Sequence, residues 1–164
     1  MSPSHELRWH WARLDDSHPT APKPSARQWH AVLALRSAVF VVEQACAFQD
    51  PDDADLQAWQ LWAEHPRLGC VACLRLVDPG VKYPEPSIGR VITALAVRRW
   101  GWGRELMARG LAGAQAHWPG RANRISAQAR LQAFYESLGY RAVGRPYLED
   151  DIPHQEMLWT PPTP

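Results

Sequence analysis

No stretch of this chain approaches the roughly 20 consecutive apolar residues that a membrane-spanning helix requires, so none is expected. The first ten residues carry charges and histidines instead of an apolar leader, and a soluble, cytoplasmic protein is predicted. Cysteine is scarce too, and three cysteines, an odd number, argue against a disulfide framework. Cys70 and Cys73 make a C-x-x-C, but in the strand-like run GCVACLRLV residues three apart point to opposite faces. Core packing is expected there, not a zinc half-site or a redox pair. Cys46 stands apart, and no base that would make it a nucleophile can be named. An excess of one charge is also missing: the net charge is +1 with no basic block, so the electrostatic footprint of a nucleic-acid binder is absent. The rest is ordinary globular composition, 46% hydrophobic and 21% charged, at a length that suits one domain over residues 1–164.

Two common phosphate motifs are absent as well. The dinucleotide fingerprint Gly-x-Gly-x-x-Gly fails at Leu106, and no Gly-Lys-Ser/Thr closes a P-loop. What is present is VITALAVRRWGWGRELMARGL, residues 91 to 111, in which a strand-like segment passes through two glycines into an amphipathic helix. Arg98, Gly101 and Gly103 give Arg-x-x-Gly-x-Gly. Residues without a Cβ let main-chain N–H groups approach an anion, and the helix start adds unsatisfied N–H groups and the positive end of its dipole.

An Arg-x-x-Gly-x-Gly loop between strand and helix resembles the acetyl-CoA pyrophosphate loop of the GNAT superfamily of N-acetyltransferases. Thirty residues on, RISAQARLQAFYESLGY reads as a short strand and a helix carrying Leu131, Phe134, Tyr135 and Leu138, stopped by Gly139. It is similar to the second GNAT signature, Phe-Tyr-x-x-x-Gly-aromatic. The resemblance implies main-chain contacts from Val91, Ile92 and Thr93 to the pantetheine arm. It also implies a pyrophosphate cradle formed by Arg98, Arg99, Trp100, Gly101, Trp102, Gly103 and Arg104, with charge-assisted help from Arg98, Arg99 and Arg104. Trp100 and Trp102 are open to stacking on adenine or to packing in the core. Tyr135 matches the tyrosine that protonates the departing thiolate. Gln128 stands where many members have Asn and keeps an amide for the pantetheine or a water. Asn123 stands where some members have a catalytic Glu, so their base does not carry over.

Residues 35 to 55, LRSAVFVVEQACAFQDPDDAD, look like the ElaA branch of the superfamily, as do IGRV at 88 to 91 and EDDIPH at 149 to 154. A helix opened by Ser25 would align Trp29, Leu33, Arg36, Phe40 and Glu43 on one face. Glu43 is then a candidate base or amine-binding anion, and Arg36 and Phe40 candidate substrate contacts. The alternative is that the two charges are paired structurally, or that Val39, Val41 and Val42 end the helix early. Asp50, Asp52, Asp53 and Asp55 do not match the spacing of a calcium loop, and a solvated turn near the acceptor is expected. His154 is a candidate acceptor contact or base, with a structural role as the alternative.

Strands are predicted over 6–11, 57–63, 69–77, 88–94, 124–128, 140–145 and 154–159, with helices over 26–40, 103–117 and 130–138. That order suggests an α/β sandwich. The resemblance sharpens it to a GNAT-like mixed, mostly antiparallel sheet, splayed at the cofactor site, with helices on both faces. The expected activity is transfer of an acetyl group from acetyl-CoA, as cosubstrate and without a metal, to a primary amine of a small molecule or peptide. The alternative is an acyl-CoA-binding sensor or interaction module without turnover. No nucleic-acid or membrane partner is expected; a homodimer is compatible with the sequence, in which no stripe separates an interface from core.

Overall fold

The computed structural model describes residues 7–163; residue 6, where the first strand was expected to start, and most of the N-terminal stretch read for a leader lie outside them. The chain runs β1 (Arg8–Arg13), α1 (Ala26–Arg36), β2 (Ala58–His65), β3 (Gly69–Val77), β4 (Ser87–Thr93), α2 (Trp102–His117), β5 (Asn123–Gln128), α3 (Gln132–Glu136), β6 (Tyr140–Ala142), β7 (Tyr147–Glu149) and β8 (Ile152–Trp159). Strands β1 to β4 form one antiparallel sheet in sequence order. In the second, also antiparallel, β8 lies between β5 and β6 and also pairs with β7. No helix among the described residues is long and apolar enough to cross a membrane.

The two sheets meet at one corner. Arg124 N donates to Pro86 O at 3.2 Å, and the buried Asn123 side chain donates to Pro86 O at 3.0 Å and accepts from Ile88 N at 3.4 Å and Tyr140 Oη at 2.8 Å. Beyond this junction β4 and β5 form no ladder. Each therefore keeps a main-chain edge free where it lines the cavity described below, which is the splay expected of the fold.

Helices cover both faces of the first sheet. Trp102, Leu106, Met107, Gly110 and Ala114, at steps of three and four, bury one side of α2. They pack into the larger core with Leu61, Leu74, Leu76, Ile125 and Met157. On the opposite face Val32 and Val39 join Trp62, Cys73 and Ile92. Cys73 is in that core, as its strand position implies. Half-buried Cys70 has its thiol pushed up to about 12 by burial, which makes it a poor thiolate.

Ser25 opens α1 as expected: its hydroxyl accepts from Gln28 N, and the Gln28 side chain accepts from Ser25 N. Such reciprocal capping is worth about 1 kcal/mol. The expected helix over 26–40 does not continue regularly. From Ser37 to Glu43 it widens into a π-helical turn, with Gln44 N bonded to Val39 O and Cys46 N to Val41 O. Three β-branched valines crowd this segment, and the wider turn changes which residues share a face. Likewise the helix expected over 130–138 is a tight turn, Ala129–Leu131, followed by the short α3, because Leu131 leaves helical geometry at φ −103, ψ 6.

Candidate active site

A cavity of about 550 Å³ opens between the splayed strands. Its walls come from the π-helical turn, β4, the loop before α2, the first turn of α2, β5, α3 and the β7–β8 hairpin.

The loop before α2 forms the anion-facing wall. Gly101 takes φ +83, where an L side chain is strained, and a Cβ added to it would meet nothing within 4 Å. It is the N-cap of α2, and the first bond back to it is Glu105 N to Gly101 O at 3.4 Å. The N–H groups of Trp102, Gly103 and Arg104 consequently have no main-chain acceptor among the described residues. Arg99 and Arg104 are exposed on this wall, and Arg104 also reaches Ser137 Oγ at 2.9 Å. A polyanion such as a pyrophosphate fits such a cradle. Trp102 resolves its two readings: the indole is buried in the core and does not stack on adenine, whereas Trp100 lies across it, 45% exposed.

Val91, Ile92 and Thr93 line the same cavity. Arg90 before them takes φ +50, and the β3–β4 register shifts between Cys73 and Arg75. This bulge turns β4 where it borders the cleft. Arg90 itself is ion-paired with Asp50, with Nε 2.8 Å from Oδ1, donates from Nη2 to Asp50 O at 2.8 Å, and lies over the rings of Phe40 and Phe48. Phe40 lines the cavity.

Tyr135 is buried at the cavity wall, edge-on to Phe134 and Tyr140, and its hydroxyl makes no hydrogen bond to a protein group among the described residues. Burial pushes the phenol up to about 12, so it holds its proton at neutral pH. That is the state a general acid needs.

Several expected site residues are engaged elsewhere. Glu43 lines the cavity but forms a bidentate pair with Arg98, at 2.7 and 2.6 Å. The guanidinium holds the Glu43 carboxyl below its usual range, which opposes a role as base. The same pair neutralises Arg98, so its side chain is not free to meet a phosphate. Gln128 lines the cavity, but its amide donates to Gln44 Oε1 at 3.0 Å and accepts from Arg130 Nε at 3.1 Å. Asn123, which the sequence treats only as a missing base, is the clamp between the two sheets.

Arg36 does not line the cavity, and its reading as a substrate contact is corrected. It is 1% exposed and donates to Asp50 Oδ2 at 2.8 Å and to both oxygens of Asp55 at 2.7 and 3.0 Å. Asp52 and Asp55 in turn hold Arg75, and Asp50 holds Arg90. The acidic run is therefore a solvated turn only in part: Asp52 and Asp53 are exposed, whereas Asp50 and Asp55 are buried. Asp50 and Asp55 are each 4% exposed, and the run carries a network of three carboxylates and three guanidinium groups behind the bulge of β4. Four aspartates within six residues and arginines on α1, β3 and β4 were visible in the sequence, but the convergence of three from each set was not.

At the far wall, the β7–β8 hairpin turns through Asp150 and Asp151, both at positive φ, and the Asp150 carbonyl accepts from Cys46 Sγ at 3.7 Å. His154 is 8% exposed there; its Nδ1 lies 2.7 Å from Ile152 O and its Nε2 3.4 Å from Glu149 Oε2. Among the described residues no group of His, Cys, Asp and Glu is assembled to hold a metal ion.

Comparison with known proteins bears on the fold and the family. The family model "Acetyltransferase (GNAT) domain" matches residues 54–161. UPF0039 protein sll0451 of Synechocystis is 40% identical over 157 residues, 96% of this chain and 97% of that protein. Protein ElaA of Escherichia coli is 41% identical over 133 residues, 79% of this chain and 86% of its own. Its crystal structure superposes with a TM-score of 0.81 at 35% identity, covering 93% of this chain and 99% of that one. An acyl-CoA N-acyltransferase from Pseudomonas aeruginosa gives a TM-score of 0.82 at 38% identity, over 94% and 99% of the two chains. On these matches the chain belongs to the GNAT acetyltransferase family, in the branch of ElaA.

Proposed function

We propose that this protein is an N-acyltransferase that moves an acetyl group from acetyl-CoA to a primary amine by direct transfer. The observation that carries the reading is one cavity holding both the unpaired N–H groups that open α2 and the Tyr135 hydroxyl. Acetyl-CoA supplies an activated thioester, and the protein's own groups do the rest.

Trp102, Gly103 and Arg104 N–H groups, with the side chains of Arg99 and Arg104, bind the pyrophosphate. Arg98 serves this wall through its pair with Glu43, which fixes the loop against the π-helical turn. Val91, Ile92 and Thr93 hold the pantetheine arm along the free edge of β4, and a main-chain N–H there meets the oxyanion that develops on the attacked carbonyl. Gln128, with its amide fixed by Gln44 and Arg130, borders that arm. Tyr135 donates its proton to the departing sulfur. Phe40, beside Arg90 and Phe48, offers the acceptor an apolar wall.

Calorimetric titration with acetyl-CoA, with pantetheine as the ligand lacking the pyrophosphate, tests the cradle. Saturable binding that weakens strongly with pantetheine is expected; no binding at millimolar acetyl-CoA would sink the reading. Turnover with an amine that falls in Tyr135→Phe, while acetyl-CoA still binds, separates an enzyme from a sensor without turnover.

A further inference from the structure

We propose that His154 is the base that takes a proton from the acceptor, and that Glu149 holds that acceptor beside it as a primary ammonium ion. The proposal rests on the acyl-transfer reading above and deepens it.

The Ile152 carbonyl 2.7 Å from His154 Nδ1 only accepts, so Nδ1 carries a hydrogen, and it is Nε2 that presents a lone pair whenever the ring is neutral. That lone pair faces Glu149 Oε2 at 3.4 Å. Two acceptors thus face each other at the cavity wall. A cation with several N–H groups satisfies both, offsets the carboxylate charge, and is the substrate form of an amine at neutral pH.

The ring is held for this task. Tyr147 stacks on it at a centroid distance of 6.0 Å, and Glu149 accepts from Ser126 Oγ at 3.0 Å. The charged and polar groups around it are mostly committed. Gln128, opposite His154 on β5, has both ends of its amide engaged, and Arg130 donates to that amide. Arg98 is paired with Glu43, Arg90 with Asp50, and Glu156 with Arg124. Lys82 acts on Glu149 through space and makes no ion pair with it. Among the described residues Glu149 and the neighbouring Asp150 have no Arg or Lys bound to them, so this wall keeps net negative charge while the opposite wall is basic. The cavity is polarised, with its cation side on the hairpin.

The protons balance. The ammonium gives its first proton to His154 Nε2 and becomes a nucleophilic amine. Its nitrogen bonds to the thioester carbonyl carbon, the carbon–sulfur bond breaks, and Tyr135 protonates the sulfur. Tyr135 regains a proton from the second one lost by nitrogen, and His154 returns its own to solvent. The products are the amide, the thiol and one proton.

The test compares ethylamine, a cation at pH 7.5, with 2,2,2-trifluoroethylamine, which is largely neutral there. Thiol release from acetyl-CoA is followed in the wild type, His154→Gln and Glu149→Gln. For His154→Gln, kcat/KM for ethylamine should fall by about 100-fold, and far less for trifluoroethylamine. Glu149→Gln should raise KM for ethylamine only. Equal losses on both amines, or none on either, would overturn the assignment even though acetyl-CoA still bound by calorimetry. Failure of acetyl-CoA to bind would instead overturn the acyl-transfer reading itself. If neither amine turns over, ethylammonium is titrated into the CoA-bound protein while the His154 imidazole resonances are followed. Shifts present in the wild type and absent in Glu149→Gln support the site, and no shift in the wild type refutes it.

Discussion

Arg36→Met would turn a buried, neutral network into one with an uncompensated negative charge. Three guanidinium groups, Arg36, Arg75 and Arg90, meet three carboxylates, Asp50, Asp52 and Asp55, and Arg36 and Asp55 lie almost wholly out of water. Methionine keeps much of the stem but strips Asp55 of its bidentate partner and Asp50 of one donor. Breaking a buried pair from one side costs about 3–5 kcal/mol, because the remaining charge keeps its desolvation penalty. For a domain of this size that predicts a fall in Tm of about 6–20 °C, read by circular dichroism. Adding Asp55→Asn restores neutrality, so the double variant should lose about 1–3 kcal/mol less than the summed single losses. Folded Arg36→Met should bind acetyl-CoA with unchanged affinity, since Arg36 does not line the cavity. A Tm within 2 °C of wild type, or strict additivity in the cycle, would refute the account of a coupled buried network; those thresholds are about the size of a surface substitution.

Acid should release the same network: burial raises Asp55, but the Arg36 hydrogen bond and charge outweigh it and hold the carboxyl below its usual range. A depressed carboxyl stabilises the fold fully above its unfolded value, near 3.9, and loses that contribution as pH falls through the folded value, so the Tm gap between wild type and Arg36→Met should narrow from pH 7 to about pH 3. Tyr135→Phe should lower kcat by about 100-fold with acetyl-CoA affinity intact, and an unchanged rate would remove Tyr135 as the acid. Gly101→Ala meets no neighbour, so its cost should be the positive φ alone, about 1–2 kcal/mol by thermal unfolding. Gly103→Ala should keep its stability, because a Cβ there lies an ordinary 3.7 Å from Phe134, yet weaken acetyl-CoA binding by crowding the cradle, as calorimetry would show. Glu43→Gln breaks a pair that is 36% exposed on both sides, so stability should change by less than about 1 kcal/mol, and a rate loss near 100-fold would restore Glu43 as a base.

The chain's local patterns determined a good deal by themselves. Strand-like runs marked β2, β3 and β8, Ser25 marked the start of α1, and Gly101 and Gly103 marked a strand passing into an anion-facing helix, because these signals are set within a few residues. The two signatures of the family were legible for the same reason. Only the tertiary structure decided what the charged side chains do. Arg36 and Glu43 read as cleft candidates or as structurally paired charges, and Arg98 as part of the cradle, because their partners lie 14 to 55 positions away. Ion pairing depends on where distant segments converge, and helical periodicity is silent about it. The π-helical turn from Ser37 to Glu43 added to this by moving Phe40 and Glu43 off the regular helical face that carries Arg36. Asn123 as clamp and the juxtaposition of His154 and Glu149 likewise required β5, β7 and β8 to be placed in register, since a side chain's chemistry is fixed by its type but its neighbours are fixed by what folds against it.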